Sequence, residues 1–289
     1  MFATIGRTWN LAKMSWGVLQ KDRELMLFPA FSLIGVLLAA GIFAAIAAAT
    51  GSLDHLTQAN DETTRKVTVI DVTVLVLFLV TLSYVVIFFN SALIAAAMER
   101  LRGGDPNVGS GIRAVLPHAH NILGWAIISA SVGLLLQLLR SRTDNFIGRL
   151  VLSMIGGIWA YMTFFVVPFL VVQGLSPFGA IKASSGLFKR TWGEQVTASF
   201  GFGIFYIGAA LIAFLPAAAI FALNPAAGIV VGVILMVIVM AAVQATEGIF
   251  KAALYEYATE GRTPQGFEQA DLANSYGRNQ FGADRGPRV

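Results

Sequence analysis

Residues 72–98 read VTVLVLFLVTLSYVVIFFNSALIAAAM and contain no formal charge. The run begins near Val67 and closes on Glu99-Arg100-Leu101-Arg102, before a break at Gly103-Gly104-Asp105-Pro106. About 20 apolar residues carry a helix across the hydrocarbon core of a bilayer. This stretch is longer, so it reads as a transmembrane helix that projects a turn or two into the cytoplasm and ends in a basic collar. Outward from it the chain repeats one plan: apolar span, basic exit, connector with one apolar face, next span. The fold class that follows is all-α, a polytopic membrane helical bundle of about six transmembrane helices. An N-terminal amphipathic interfacial helix and amphipathic cytoplasmic connectors complete it.

Composition agrees with lipid as the solvent. Hydrophobic residues make up 56% of the 289 and charged residues 12%, against about 25% charged in soluble domains. The mean hydropathy is +0.72. A soluble chain of this size cannot hide that much apolar surface, because most residues of a globule touch water. There is no cysteine, which excludes disulfides, thiol chemistry and cysteine-bound zinc. The net charge is only +4, and in a membrane protein such an excess reflects cytoplasmic Lys and Arg. With no basic patch interleaved with aromatics, nucleic acid is not an expected partner.

The expected spans lie at about 25–49, 70–98, 121–139, 150–172, 197–223 and 226–248, within a membrane domain of 25–260. Pro29 sits in the first turns of the first span, where its missing N–H costs little. The fourth carries Gly156-Gly157, which permits close helix approach, and Pro168, expected to kink it near its end. Asn224-Pro225 forms the tight turn into the sixth, whose Gly228-xxx-Gly232 spacing lets helices approach closely.

Residues 1–24 form an N-terminal helix at the cytoplasmic interface. Phe2, Ile5, Trp9, Ala12, Trp16 and Leu19 recur at threes and fours, a helical stripe, with Arg7, Asn10, Lys13 and Lys21 off it. Two readings fit: a helix in the headgroup plane, or a stripe packed under the bundle as core. The stretch lacks the apolar core and cleavage site of a secretory signal. Residues 261–289 form a cytoplasmic tail, partly disordered, without apolar periodicity from about Asn274.

Orientation follows from the basic residues. One face takes Arg7, Lys13, Lys21, Arg23, Arg100, Arg102, Arg113, Lys182, Lys189, Arg190, Lys251, Arg262, Arg278, Arg285 and Arg288. The other takes Arg65, Lys66, Arg140, Arg142 and Arg149, fifteen against five of the 20 in the chain. Both termini are therefore expected in the cytoplasm, and the protein in the plasma membrane. The two connectors also echo each other. Gly111-Ile112-Arg113-Ala114 aligns with Ala180-Ile181-Lys182-Ala183, and at the same offset Gly124 meets Gly193. Such an echo suggests repeated units of two spans plus a cytoplasmic helix.

The ends of the chain carry a resemblance. The N-terminus reads Arg7-Thr8-Trp9-Asn10-Leu11-Ala12-Lys13-Met14-Ser15-Trp16, then Lys21-Asp22-Arg23-Glu24-Leu25-Met26-Leu27-Phe28-Pro29. Near the C-terminus stand Ala252-Ala253-Leu254-Tyr255-Glu256-Tyr257-Ala258-Thr259-Glu260-Gly261 and Pro264-Gln265-Gly266-Phe267. Together these resemble an uncharacterised family of prokaryotic six-span integral membrane proteins, a domain of unknown function. The resemblance covers the whole span pattern and implies fold and location; it brings no site residues with it.

Polar residues inside spans are the default functional candidates, because hydrocarbon makes them costly. They are Asn90, Gln137, Gln244 and Glu247. Gln244 and Glu247 share a face, and Lys251 follows Glu247 at ion-pair spacing. They read either as a polar cluster near the cytoplasmic mouth or as the first solvated residues of an emerging helix. Asn90 is less easily set aside, and reads either as a functional group within the membrane or as an interhelical hydrogen-bonding residue. Arg7, Trp9, Lys13 and Trp16 are the lipid-contact candidates of the first segment, and Lys182, Lys189, Arg190 and Trp192 those of the second connector. His118 and His120 are not neighbours on a helix and make no metal site. Asp71 reads as a helix cap or a residue at the outer headgroups.

No phosphate loop, His-Glu-xx-His or Gly-x-Ser-x-Gly motif is present, and three histidines leave acid–base catalysis little to work with. The chain is expected to be non-enzymatic, with no cofactor. Its expected partners are membrane lipids, with other membrane proteins or further copies of itself beside them. The expected function is a membrane scaffold or lipid- and partner-interacting protein; the alternative is a transporter or channel with a path between the spans.

Overall fold

Thr68 opens the deciding helix. Its hydroxyl accepts the Asp71 N–H at 3.2 Å, while Asp71 Oδ2 accepts the Thr68 N–H at 2.8 Å, so two donors that a helix start would orphan are satisfied reciprocally. Asp71 is thus a cap. From there one helix runs over Val69–Leu101, 33 residues, about 50 Å at 1.5 Å per residue.

The computed structural model describes residues 2–52, 68–192, 201–261 and 263–267, with side chains for 12–52, 68–189, 208, 211, 214–261 and 263–267. In order, the helices are α1 (Phe2–Lys21), α2 (Leu27–Ala49), α3 (Val69–Leu101), α4 (Val108–Val115) and α5 (Ala119–Ser141). They continue as α6 (Phe146–Met162), α7 (Val166–Val172), α8 (Pro177–Trp192), α9 (Gly201–Leu223) and α10 (Pro225–Glu260). Short 3-10 turns at Arg23–Met26 and Leu116–His118 lead into α2 and α5. The described residues form no strand, and the fold is an all-α bundle.

Among the described residues, five stretches are long and apolar enough to cross a membrane: Arg23–Ala49, Val69–Leu101, Val108–Ser141, Phe146–Val172 and Pro225–Glu260. The sixth expected span is α9, 23 residues with Pro216 inside, of which Phe214–Leu223 counts as a shorter apolar helix. Residues 197–200 of that span lie outside the described residues, as do most of the 51–66 loop and the tail beyond Phe267.

Three expectations change in detail. The fourth span is two helices, and the break falls at Thr163–Phe165 rather than at Pro168. In a continuous helix the Pro168 ring would meet the Phe164 carbonyl and offer it no N–H, so the disruption lies four residues ahead of the proline. The freed Phe165 N–H is buried and donates to Ser184 Oγ of α8 at 3.0 Å. The helix that carries the sixth span does not stop near 248 but runs on to Glu260. There Gly261, at φ +64°, closes α10 by returning its N–H to Tyr257 O at 3.1 Å, a left-handed cap that suits glycine. The tail, finally, starts as part of the fold. Gln265 N–H donates to Leu101 O at 3.1 Å, and Phe267 is buried.

Ring pairs and tight glycines give the helix directions. Phe31–Phe89 and Phe43–Phe78 lie 6.2 and 5.5 Å apart, so α2 and α3 are antiparallel. Trp125 and Trp159 stack at 5.9 Å between α5 and α6. Gly228 sits so close to Phe221 that a side chain there would enter the α9 backbone; this fixes the α9–α10 hairpin that Asn224 caps. Leu93 covers Gly248 and Arg102 reaches Glu256, so α3 and α10 run parallel.

The element order therefore repeats three times. A helix at the basic end precedes one that leaves that end and one that returns: α1–α3, α4–α7 and α8–α10. The echo in the two connectors has a counterpart in burial. Gly111 and Val115 of α4 are buried, as are Ala180 and Ser184 of α8, while Arg113 and Lys182 at matching positions are exposed. Gly193 lies outside the described residues.

Burial is concentrated at the basic end. One cluster joins Leu19, Leu25 and Phe28 to Leu93–Leu101 of α3, Phe165–Val171, Leu187 of α8 and Ile249–Tyr257 of α10. Away from it the helices present apolar side chains outward, and the most apolar stretch of α3 holds no buried residue. In water that surface would be untenable; in lipid it is the expected state.

Candidate functional site

The core end carries the polar groups, so the site is built there. α3 ends at Leu101 and delivers Arg102 beside α10. Arg102 Nε donates to Glu256 Oε1, and its Nη2 to Glu260 Oε1 at 2.9 Å. Glu256 and Glu260 stand four apart and so share one face of α10. The Glu256 side chain is 4% exposed, the Arg102 side chain 43%. A carboxylate so withdrawn from water needs a partner, and Arg102 supplies it. Burial works against the Arg102 charge, yet the Glu256 bond and the two carboxylates more than offset it and leave its pKa above the ordinary value.

One residue earlier, buried Tyr255 accepts a hydrogen bond from Gln173 Nε2 at 2.9 Å and meets Phe169 edge-on at 5.1 Å. These contacts bind α7 to α10. At the start of α4, Asn107 and Ser110 form a second reciprocal cap, and Ser110 Oγ donates to Glu99 Oε2 of α3 at 2.8 Å. On the other flank Asn121 Nδ2 holds Gly174 O at 3.3 Å. The ends of α3, α7 and α10 and the starts of α4 and α5 are thus tied to neighbours by polar groups, at positions where helix ends would otherwise leave groups orphaned.

Asp22, between α1 and the turn before α2, is the exception. Its Oδ2 is buried with no hydrogen-bond partner among the described residues. Burial pushes its pKa above the ordinary 3.8, against the pull of Arg100 and with help from Glu24 and Asp105. Arg100 itself stands 3.9 Å from Asp105 and donates to Gly104 O at 3.2 Å.

The four intramembrane candidates divide. Glu247 pairs with Lys251 of its own helix at 2.8 Å, and Lys251 lies 5.3 Å above the Phe164 ring. Asn90 and Gln244 are half-buried. Because Leu93 faces Gly248 on parallel helices, these two residues, three and four positions before that contact, lie at one level. Gln137 is exposed on α5 and belongs to no cluster with the others.

Of the interfacial candidates, Lys13, Lys182 and Lys189 are exposed, whereas Trp16 packs against the core cluster. Ala12, Ser15, Val18 and Leu19 are buried, so the second half of α1 follows the core reading. The side chains of Arg7, Trp9, Arg190 and Trp192 lie outside the described residues. His118 borders Gly174, where a Cβ would come within 3.0 Å of its ring. Among the described residues no group of three His, Cys, Asp or Glu side chains could hold a metal.

Reading the sequence for polar residues inside spans missed Arg102, Glu256, Glu260 and the Gln173–Tyr255 pair. The signal lay in the end motifs: Tyr255, Glu256 and Glu260 fall in one, and the Pro264–Phe267 clasp in the other part of it. The C-terminal motif also touches α1, for Gly266 lies against Val18, between the two N-terminal motif stretches.

Comparison with known proteins gives one match. The model of a family of unknown function, DUF6159, matches residues 69–267. No curated protein and no solved structure matches the chain. The chain belongs to this family of unknown function.

Proposed function

We propose that this member of the family is a non-enzymatic integral membrane scaffold that contacts lipids and partner proteins at its basic end. The observation that carries this reading is the use made of the polar groups there. Arg102, Glu256, Glu260, Gln173 and Tyr255 are spent on joining α3, α7 and α10, next to a buried apolar cluster that includes Leu93, Leu170 and Ile249. Polar groups committed to each other stiffen the elements they join. A stiff, closed end suits a platform for partners, either other membrane proteins or further copies of the chain. The fifteen-to-five division of Lys and Arg supports placing that end, and both termini, on the cytoplasmic side of the plasma membrane.

A second reading has one observation in its favour. Asn90 and Gln244 share a level on neighbouring helices, where a path for a small solute or lipid would need polar groups. The two readings part on water access. The chain has no cysteine, so Asn90→Cys and Gln244→Cys are clean probes in native membranes. The scaffold reading expects neither to react with a membrane-impermeant thiol reagent from either side. Reaction at both positions would establish a wet route and replace the scaffold with the transporter.

A further inference from the structure

Helix α8 is gripped by one face. Ala180, Ser184 and Leu187 are buried, Ser184 Oγ accepts the Phe165 N–H, and the Phe188 ring lies 5.2 Å from Tyr161. These contacts fix the rotation of the helix about its axis, so the side chains of its free face are held in place. That face carries Phe178, Lys182 and Lys189, whose spacings of four and seven form one stripe. Phe178 is 75% exposed, both lysines are exposed, and α8 contains no acidic residue.

A phenylalanine left three-quarters exposed on a rigid helix needs an apolar surrounding, and lysines beside it need anions. A bilayer surface supplies both within one helical turn: acyl chains under a layer of phosphate. The first connector repeats the device. Arg113 stands where Lys182 stands in α8, and Leu116, 53% exposed, begins the outward apolar row that continues through Leu123 and Ile127 of α5. Basic and apolar exposed side chains adjoin where the spans begin, as the depth of the headgroups requires.

We propose that the Phe178–Lys182–Lys189 face of α8 is a docking surface for anionic phospholipids. Phe178 enters the acyl region and the two ammonium groups meet the phosphates. The inference rests on the reading that the basic end lies at the membrane surface. Zwitterionic lipid would shelter Phe178 equally well but leave the lysines without net negative charge, so the face selects for anionic headgroups.

Native mass spectrometry of the purified full chain, titrated with phosphatidylglycerol or phosphatidylcholine, tests this. The wild type is expected to prefer phosphatidylglycerol, and the preference should shrink as salt rises. Lys182→Gln with Lys189→Gln should weaken phosphatidylglycerol binding about tenfold or more and leave phosphatidylcholine binding unchanged. Equal binding of the two lipids by the wild type, or full phosphatidylglycerol affinity in the double variant, would overturn the proposal. A spin label on Phe178→Cys reports the premise separately. A label at headgroup depth without lipid preference sinks the selectivity and keeps the premise. A fully aqueous label removes the premise and the proposal together, and points to a protein on this face.

Discussion

Glu256 shows what a single side chain does here. It sits on α10 almost out of reach of solvent, and is tolerated because Arg102 arrives from the end of α3. Glu256→Ala should therefore destabilise the protein by about 1–2 kcal/mol, less than the 3–5 of a fully buried pair because Arg102 is 43% exposed. Thermal unfolding in detergent is the readout, and an unchanged midpoint would show that the pair holds nothing. Ser184→Ala strands the buried Phe165 N–H, an expected loss of about 1–3 kcal/mol.

Asp22 works in the opposite direction. Its pKa is higher in the folded state than the ordinary 3.8, so the folded protein binds the proton more tightly. Its contribution is then most favourable below 3.8 and is lost as pH rises through the folded value. Asp22→Asn should flatten that part of the pH–stability profile and match or exceed the wild type at neutral pH. A variant that falls below the wild type at neutral pH would mean that the charged form is the favoured one. Neither Asp22 nor Glu256 stood out in the sequence as a site, since a search for polar residues within spans passes over those at span ends.

At the scale of elements, helices were legible and their joints were not. The 72–98 run announces α3 by length and lack of charge, and Asn224-Pro225 announces the cap of α10. The break in the fourth span depends on where the Phe165 N–H finds a partner, and Ser184 is nineteen residues away. Likewise α10 runs to Glu260 because Arg102 and Gln173 receive its polar residues, which no local pattern records. Docking of α4 makes a sharper test. A Cβ at Gly111 would lie 2.6 Å from Phe28 Cζ and 2.8 Å from Ala92 O. Gly111→Ala should push α4 from α3 and cost about 1–3 kcal/mol. At Gly157 nothing lies within 4 Å, so Gly157→Ala should be neutral or stabilise by up to about 1 kcal/mol through helix propensity. Equal effects of the two substitutions would contradict the packing described for α4.

For the whole molecule, three units of a basic-end helix and a pair of spanning helices share one core at one end. Composition indicated a membrane bundle, and the connector echo hinted at repetition. The concentration of burial at the basic end was not legible, because apolar residues facing lipid and apolar residues facing protein look alike in sequence. Polar pairs fasten the helices at the core end; away from it the joints are apolar contacts such as Phe43–Phe78 and Gly228–Phe221. On the scaffold reading, this core end is closed.

A structure of the full chain in a lipid nanodisc, with density resolved between the helices, decides whether the core end is closed. A dry apolar cluster around Leu93, Leu170 and Ile249 is expected, with ordered lipid only outside it, along α8 and beside the outward-facing helices. A solute, a lipid or a file of waters running between the helices beside Asn90 and Gln244 would overturn the scaffold reading.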